Sequence, residues 1–169
     1  CLGDSICFTD LSISNNGAIV YWNWIFGDGS PVSALQNPCH TYLAAGIYTV
    51  TLIVNNSGGD ADTTDVSIIV NPSPSTGFTS TINMNVVSFT DGSIGASSWY
   101  WDFGDASFSN TQNPVHAYAS VGSYTVCLTV TNSFSCSATS CQVITITAVG
   151  INDLNAASAI TIFPTISEN

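Results

Sequence analysis

The chain has 169 residues, of which 45% are hydrophobic and 11% aromatic, and it carries eleven Asp plus Glu against no Lys or Arg, a formal net charge of −11. That composition supports a packed core and excludes functions built on a side-chain cation: neutralising nucleic-acid phosphates, the P-loop lysine, Schiff-base chemistry, arginine clamps and lysine isopeptide crosslinks. Anionic membrane surfaces are equally poor partners, and no apolar run is long enough to insert in a membrane.

Two further consequences follow from the missing cations. Each carboxylate must be satisfied by backbone N–H groups, hydroxyls, water or a metal. Trypsin-like proteases also find no cleavage site, which suits a long life outside a cell.

In chain order, Cys1 opens directly on a strand-like pattern and reads as part of a processed or longer protein. The block Phe8-Thr9-Asp10 comes next, then Trp22-Asn23-Trp24-Ile25-Phe26-Gly27-Asp28, Gln36-Asn37-Pro38-Cys39-His40-Thr41-Tyr42 and Gly46-Ile47-Tyr48-Thr49-Val50. Each recurs further on: Phe89-Thr90-Asp91, Trp99-Tyr100-Trp101-Asp102-Phe103-Gly104-Asp105, Gln112-Asn113-Pro114-Val115-His116-Ala117-Tyr118 and Gly122-Ser123-Tyr124-Thr125-Val126. Loops have changed length between two copies of one unit.

Tyr48, Val50, Leu52 and Val54 alternate with Thr49, Thr51 and Ile53, as Tyr124, Val126, Leu128 and Val130 do with Thr125, Cys127 and Thr129, which is strand periodicity. Trp22, Trp24 and Phe26 share one strand face, as do Trp99, Trp101 and Phe103. Asp28-Gly29 is a tight-turn dipeptide; Asp105-Ala106 replaces it in the second copy and weakens the positive-φ position. Short strands punctuated by turns predict an all-β protein, two tandem immunoglobulin-like β-sandwiches.

The Trp101–Asp105 block, the Asn113–Tyr118 block and the Gly122–Val126 block, in that order, resemble the PKD (polycystic kidney disease) domain. The first copy resembles it too, with Ile25 where the family usually has Asp. The resemblance implies PKD-type sandwiches over 1–71 and 72–147, extracellular, without catalytic residues, acting as spacers or interaction modules. Residues 148–169 form a separate strand-forming tail. Val149-Gly150-Ile151-Asn152 and Ile160-Thr161-Ile162-Phe163-Pro164 resemble the opening of the C-terminal sorting domain of type IX secretion in Bacteroidota, with Thr165-Ile166 where that family usually has Asn-Pro. This implies a location at or beyond the surface of such a cell.

Candidate sites follow from residue type and place. His40 and His116 occupy equivalent repeat positions and read as structural, near Tyr42 and Tyr118. The four tryptophans read as core rather than sugar-stacking platforms, with Trp22 and Trp99 the outermost. Asp60, Asp62 and Asp65 cluster beside Gly58-Gly59 as a candidate calcium site, while Asp28 and Asp105 are expected to bond their own turns. Asp4-Ser5-Ile6 and Asp62-Thr63-Thr64 resemble O-glycan acceptors of Bacteroidota, and Asn55-Asn56-Ser57 an N-glycan acceptor, making Ser5, Thr63 and Asn55 candidate glycosylation sites.

Six cysteines imply disulfides and an oxidising compartment. A hairpin centred near Phe134 pairs Cys127 with Cys141, and the PKD-type strand arrangement makes Cys7 and Cys39 neighbours. Cys1 and Cys136 remain. They are expected to lie too far apart within one elongated chain and to meet across a subunit junction.

The first repeat also has too few residues before Phe8 for a full first strand, whereas the second has Thr76–Val86. A spare apolar strand lies in the tail at Ala159, Ile160, Thr161, Ile162 and Phe163. The expected function is a structural or adhesive subunit at the cell surface, joined head to tail with copies of itself by strand addition. The alternative is a carbohydrate-binding or spacer module of a larger secreted hydrolase, with extracellular glycans as partners.

Overall fold

The computed structural model describes residues 1–147; the tail, with its predicted strand at 159–163, lies outside the described residues. The first repeat contains β1 (Ser5–Cys7), β2 (Ile19–Ile25), β3 (Cys39–Thr41), β4 (Gly46–Asn56) and β5 (Ala61–Val70). The second contains β6 (Phe78–Asn83), β7 (Val86–Asp91), β8 (Ser98–Asp102), β9 (Phe108–Ser109), β10 (Val115–Ala117), β11 (Gly122–Thr131) and β12 (Ser137–Ile146). Each repeat is a sandwich of two antiparallel sheets. In the second these run β10-β7-β6 and β12-β11-β8-β9; in the first they run β1-β3 and β2-β4-β5.

The period-two patterns set which residues enter each core. In the second sandwich Val126, Leu128 and Val130 of β11 are completely buried with Trp101, Phe103, Phe89 and Tyr118. In the first, Val50 and Leu52 of β4 pack with Trp24, Phe26 and Tyr42. The hydroxyl of Tyr42 donates to the Phe26 carbonyl at 3.0 Å and that of Tyr118 to the Phe103 carbonyl at 3.1 Å, so each buried phenol is satisfied by backbone. Desolvation raises both phenols to about 12.

The turn after β2 and β8 depends on two backbone positions. A Cβ on Gly27 or Gly104 would fall 2.4 or 2.6 Å from the carbonyl oxygen of Thr49 or Thr125, so only glycine lets the turn press against the neighbouring strand. Two residues on, Gly29 has φ of 79° and Ala106, its counterpart, 69°. A side chain in that left-handed region costs about 1–2 kcal/mol.

The sandwiches meet through loops. Leu2 donates to the Asn71 carbonyl at 2.8 Å, Asn132 Nδ2 to the Pro72 carbonyl at 2.8 Å, and Cys1 is disulfide-bonded to Cys136. This corrects the expectation that Cys1 and Cys136 meet only between subunits. Their Cα atoms lie 5.5 Å apart within one chain, because the start of β1 and the β11–β12 hairpin tip both sit at the junction. Cys7 and Cys39 are directly opposite in the β1–β3 register, and Cys127 and Cys141 in the β11–β12 register; both pairs are bonded.

Ala106→Gly is expected to stabilise the chain by about 1 kcal/mol by relieving the positive-φ cost, and Gly29→Ala to destabilise it by a similar amount, both measured by urea denaturation.

Candidate functional site

The two repeats differ most at one place. In the second, β6 closes the sheet edge beside β7 and sends Phe78 into the core, 6.0 Å from the Phe89 ring and 4.9 Å from the Trp101 ring. Gln142 of β12 donates to the Phe78 carbonyl at 2.8 Å and Gly92 N–H to the Gly77 carbonyl at 2.9 Å, fixing the strand from both sheets.

Strand β1 is the counterpart of β7, with Phe8 for Phe89 and β3 for β10. Cys1 aligns with Ile82, so residues 1–147 hold no counterpart of Phe78–Thr81. Among the described residues β1 pairs only with β3, and its other edge is open.

A cleft of about 430 Å³ stands where Phe78 would be, lined by Phe8, Trp24, Leu52, Val54, Thr64 and Val66 among others. The core beneath it is less covered than its counterpart. Trp24 is 4% exposed against 0% for Trp101, and Val54 is half-buried where Val130 is fully buried. Leu11, at the rim, is 84% exposed and replaces Gly92. In place of Gln142, β5 presents the exposed Val66. The site is therefore apolar at its floor, with unpaired backbone along one side, and suits an extended segment carrying large apolar side chains.

The other candidate residues fall into separate places. Asp60, Asp62 and Asp65 do not converge, and among the described residues no group of three His, Cys, Asp or Glu side chains is placed to hold a metal. Strand alternation is the cause. Asp62 faces the cleft, while Asp65 lies on the opposite face and accepts from the Thr51 hydroxyl at 2.5 Å. Asp60 is held in the hairpin by Asn56 Nδ2 at 2.9 Å. The calcium site expected from these three is not formed. Ser5 and Thr63 lie exposed on β1 and β5, and Asn55 near the end of β4 is half-buried.

Each histidine ring stacks on a phenylalanine, His40 on Phe26 at 4.0 Å and His116 on Phe103 at 4.2 Å, and meets the tyrosine two residues on edge-first. The Nε2 atom of His40 is 2.8 Å from Asp28 and that of His116 is 2.7 Å from Asp105. Ser30 and Ser107 approach the same nitrogens at 3.4 and 3.2 Å. A Ser-His-Asp trio is thus assembled twice. It is no proton relay, because serine and carboxylate share one ring nitrogen, whereas a relay needs them on opposite nitrogens.

A second knot, absent from the sequence-based expectations, uses the Phe-Thr-Asp blocks. Asp10 accepts from Trp22 Nε1 at 2.7 Å and Gln36 Nε2 at 3.3 Å; Asp91 accepts from Trp99 Nε1 at 2.7 Å and Gln112 Nε2 at 3.0 Å. Trp24 and Trp101 are core residues, and Trp22 and Trp99 are half-buried with their indoles pinned. The recurrence of Asp and Gln at matching places in both repeats was the available signal.

A tandem of immunoglobulin-like sandwiches crosslinked by disulfides, with histidines in structural roles, defines a class of modular β-domain of oxidising environments. A family profile for the PKD domain matches residues 1–70 and 70–148, and the chain belongs to that family; its modules are non-catalytic. The chain is similar to a microbial collagenase of Vibrio alginolyticus, 47% identical over 53 residues, covering 31% of this chain and 6% of that protein. It is also similar to the collagenase ColA of Bacillus cereus, 37% identical over 68 residues, covering 40% and 7%. Among solved structures it is similar to the PKD1 domain of Vibrio anguillarum Epp, 28% identical, covering 47% of this chain and 99% of that one, with a TM-score of 0.45. The chain thus spans only a small part of the collagenases it matches.

Burial raises the Asp28 carboxyl, but bonds from the Ser30 hydroxyl, the His40 ring and the Ser30 N–H outweigh it and bring the group to about 2. Burial likewise raises Asp105, and bonds from Ser107 and His116 lower it further than burial raises it. A depressed carboxylate stabilises the fold above its unfolded value near ~3.9, and that contribution is lost as pH falls toward the folded value. Urea midpoints are therefore expected to fall between pH ~4 and about 2, with a smaller fall in Asp28→Asn. The cleft makes a second prediction. Leu128→Ala should cost about 3 kcal/mol, within the range for fully buried leucines, and Leu52→Ala less, because its site already opens to solvent.

Proposed function

We propose that this chain is an extracellular, non-catalytic structural or adhesive protein whose copies join head to tail, by strand addition at the first repeat, into a surface filament. The observation that carries this reading is the edge of β1 that no other described residue pairs with, beside an apolar cleft in the first repeat. An acceptor in the first repeat that takes a segment from another copy makes a heterologous contact, and such a contact extends rather than closes. The three disulfides support an extracellular setting. The Cys1–Cys136 bond supports a load-bearing role, since it ties the two sandwiches into one covalent unit. The type IX sorting resemblance of the tail supports a place on the surface of a Bacteroidota cell.

A second reading, a spacer or carbohydrate-binding module of a larger secreted hydrolase, is favoured by the similarity to two collagenases. A catalytic domain encoded in the same gene, or binding on a glycan array, would select it.

Negative-stain microscopy of the native material is expected to show filaments. Isolated monomers under native conditions would overturn the head-to-tail reading.

A further inference from the structure

The three disulfides fix how tension can pass through the molecule. Cys1–Cys136 closes a covalent loop over nearly all of the described chain, with a sequence separation of 135 and Cα atoms only 5.5 Å apart. Beyond Cys136 the backbone continues directly into β12, Ser137–Ile146, and then Thr147. The shortest covalent route from Cys1 to Thr147 therefore crosses the disulfide and runs along β12. Residues 2–135 hang from that route as a closed loop.

The route has almost no slack. At the strand rise of about 3.3 Å per residue, Cys136 to Thr147 spans ~36 Å as folded. Pulled straight, the same residues reach at most ~40 Å. A segment that is already extended gains little length under load, whereas a folded one gains many times its own span.

We propose that Cys1–Cys136 and β12 form a mechanical tether: tension entering at Cys1 and leaving past Thr147 is carried by the covalent bonds of this route, and both sandwiches are shielded from being pulled open. The proposal stands on the crosslink topology alone and serves the filament and spacer readings alike.

The surroundings of the route fit the role. Without the junction bond, tension at Cys1 would fall on β1, which β3 holds over Ser5–Cys7, and would then peel the first sandwich. Leu2 and Asn132 also bond across the junction, but single hydrogen bonds exchange with water and do not hold a sustained load. Strand β12 is paired with β11 along its whole length, from Ser137 opposite Thr131 to Ile146 opposite Gly122, and Cys127–Cys141 pins the two strands together. The second sandwich thus rides on the taut strand without carrying its load. Cys7–Cys39 lies inside the unloaded loop. Burial follows the same division. Cys136 is 0% exposed and Cys1 half-buried, whereas Cys7, Cys39 and Cys141 are exposed. The bond on the tensioned route is the one that external thiols reach least.

The test is single-molecule force spectroscopy on the full chain, held by a tag ahead of Cys1 and a tag behind Asn169. Oxidised wild type is expected to give no extension step longer than ~80 Å, the most that residues 148–169 can yield. Cys1→Ser/Cys136→Ser should lengthen by a further ~300 Å, because only the loops closed by Cys7–Cys39 and Cys127–Cys141 then stay hidden. Cys7→Ser/Cys39→Ser, whose bond lies off the route, should pull like wild type. Circular dichroism checks that each variant is folded beforehand. If Cys1→Ser/Cys136→Ser does not fold, oxidised wild type held at constant force in a dithiol reductant supplies the comparison. The long extension should then appear at a rate that rises with force, as it must when the attacked bond carries the tension; a rate independent of force would overturn the proposal. Long steps in oxidised wild type would also overturn it. So would a folded Cys1→Ser/Cys136→Ser that extends no further than wild type, because hydrogen bonds would then hold the load by themselves. Filament formation is read separately by microscopy, so each of these results leaves the head-to-tail reading as it stands.

Discussion

Asp10 and Asp91 hold the indole N–H groups of Trp22 and Trp99 because the chain offers them no side-chain cation. Asp28 and Asp105 turn to a serine hydroxyl, a backbone N–H and a histidine ring for the same reason. Hydrogen bonds from such donors are directional and short, so each carboxylate draws a defined loop into place rather than floating in a diffuse field of charge. The Asp10 and Asp91 knots tie the loop after β1 or β7 to the following strand and to the loop carrying Gln36 or Gln112. The Asp28 and Asp105 knots place a histidine ring on the core phenylalanine beside it. The aromatic cores are closed at both ends by these bonds.

Against that shared frame the repeats diverge in one respect. The second sandwich completes itself with β6, whose Phe78 covers Trp101 and Phe89. The first shows the same floor uncovered. Its own disulfide, Cys7–Cys39, crosslinks a sheet that has two strands among the described residues. A crosslink at the weaker sheet is physically reasonable, since two short strands are marginal alone.

The legibility of these features in the sequence was uneven. Strands β4 and β11 were readable from alternation, and β8 from Trp99, Trp101 and Phe103, because a period of two survives any loop change. The calcium reading of Asp60, Asp62 and Asp65 failed because proximity along a strand scatters side chains to opposite faces. The bonds of Asp10 and Asp91 were not anticipated, since each carboxylate joins a glutamine 26 or 21 positions on to an indole 12 or 8 positions on.

The amino-acid sequence by itself determined that this is a tandem of immunoglobulin-like PKD domains without basic chemistry, and it placed two of the disulfides through local register and strand adjacency. Hydrophobic periodicity and repeated turn residues are local properties, so they survive in one dimension. Only the tertiary structure decided that Cys1 and Cys136 meet inside one chain, that serine, histidine and aspartate gather without forming a relay, and that a cleft lies beside Trp24 in the first repeat. Each of these depends on how distant segments approach one another, which is set by the packing of whole sandwiches and leaves no periodic mark along the chain.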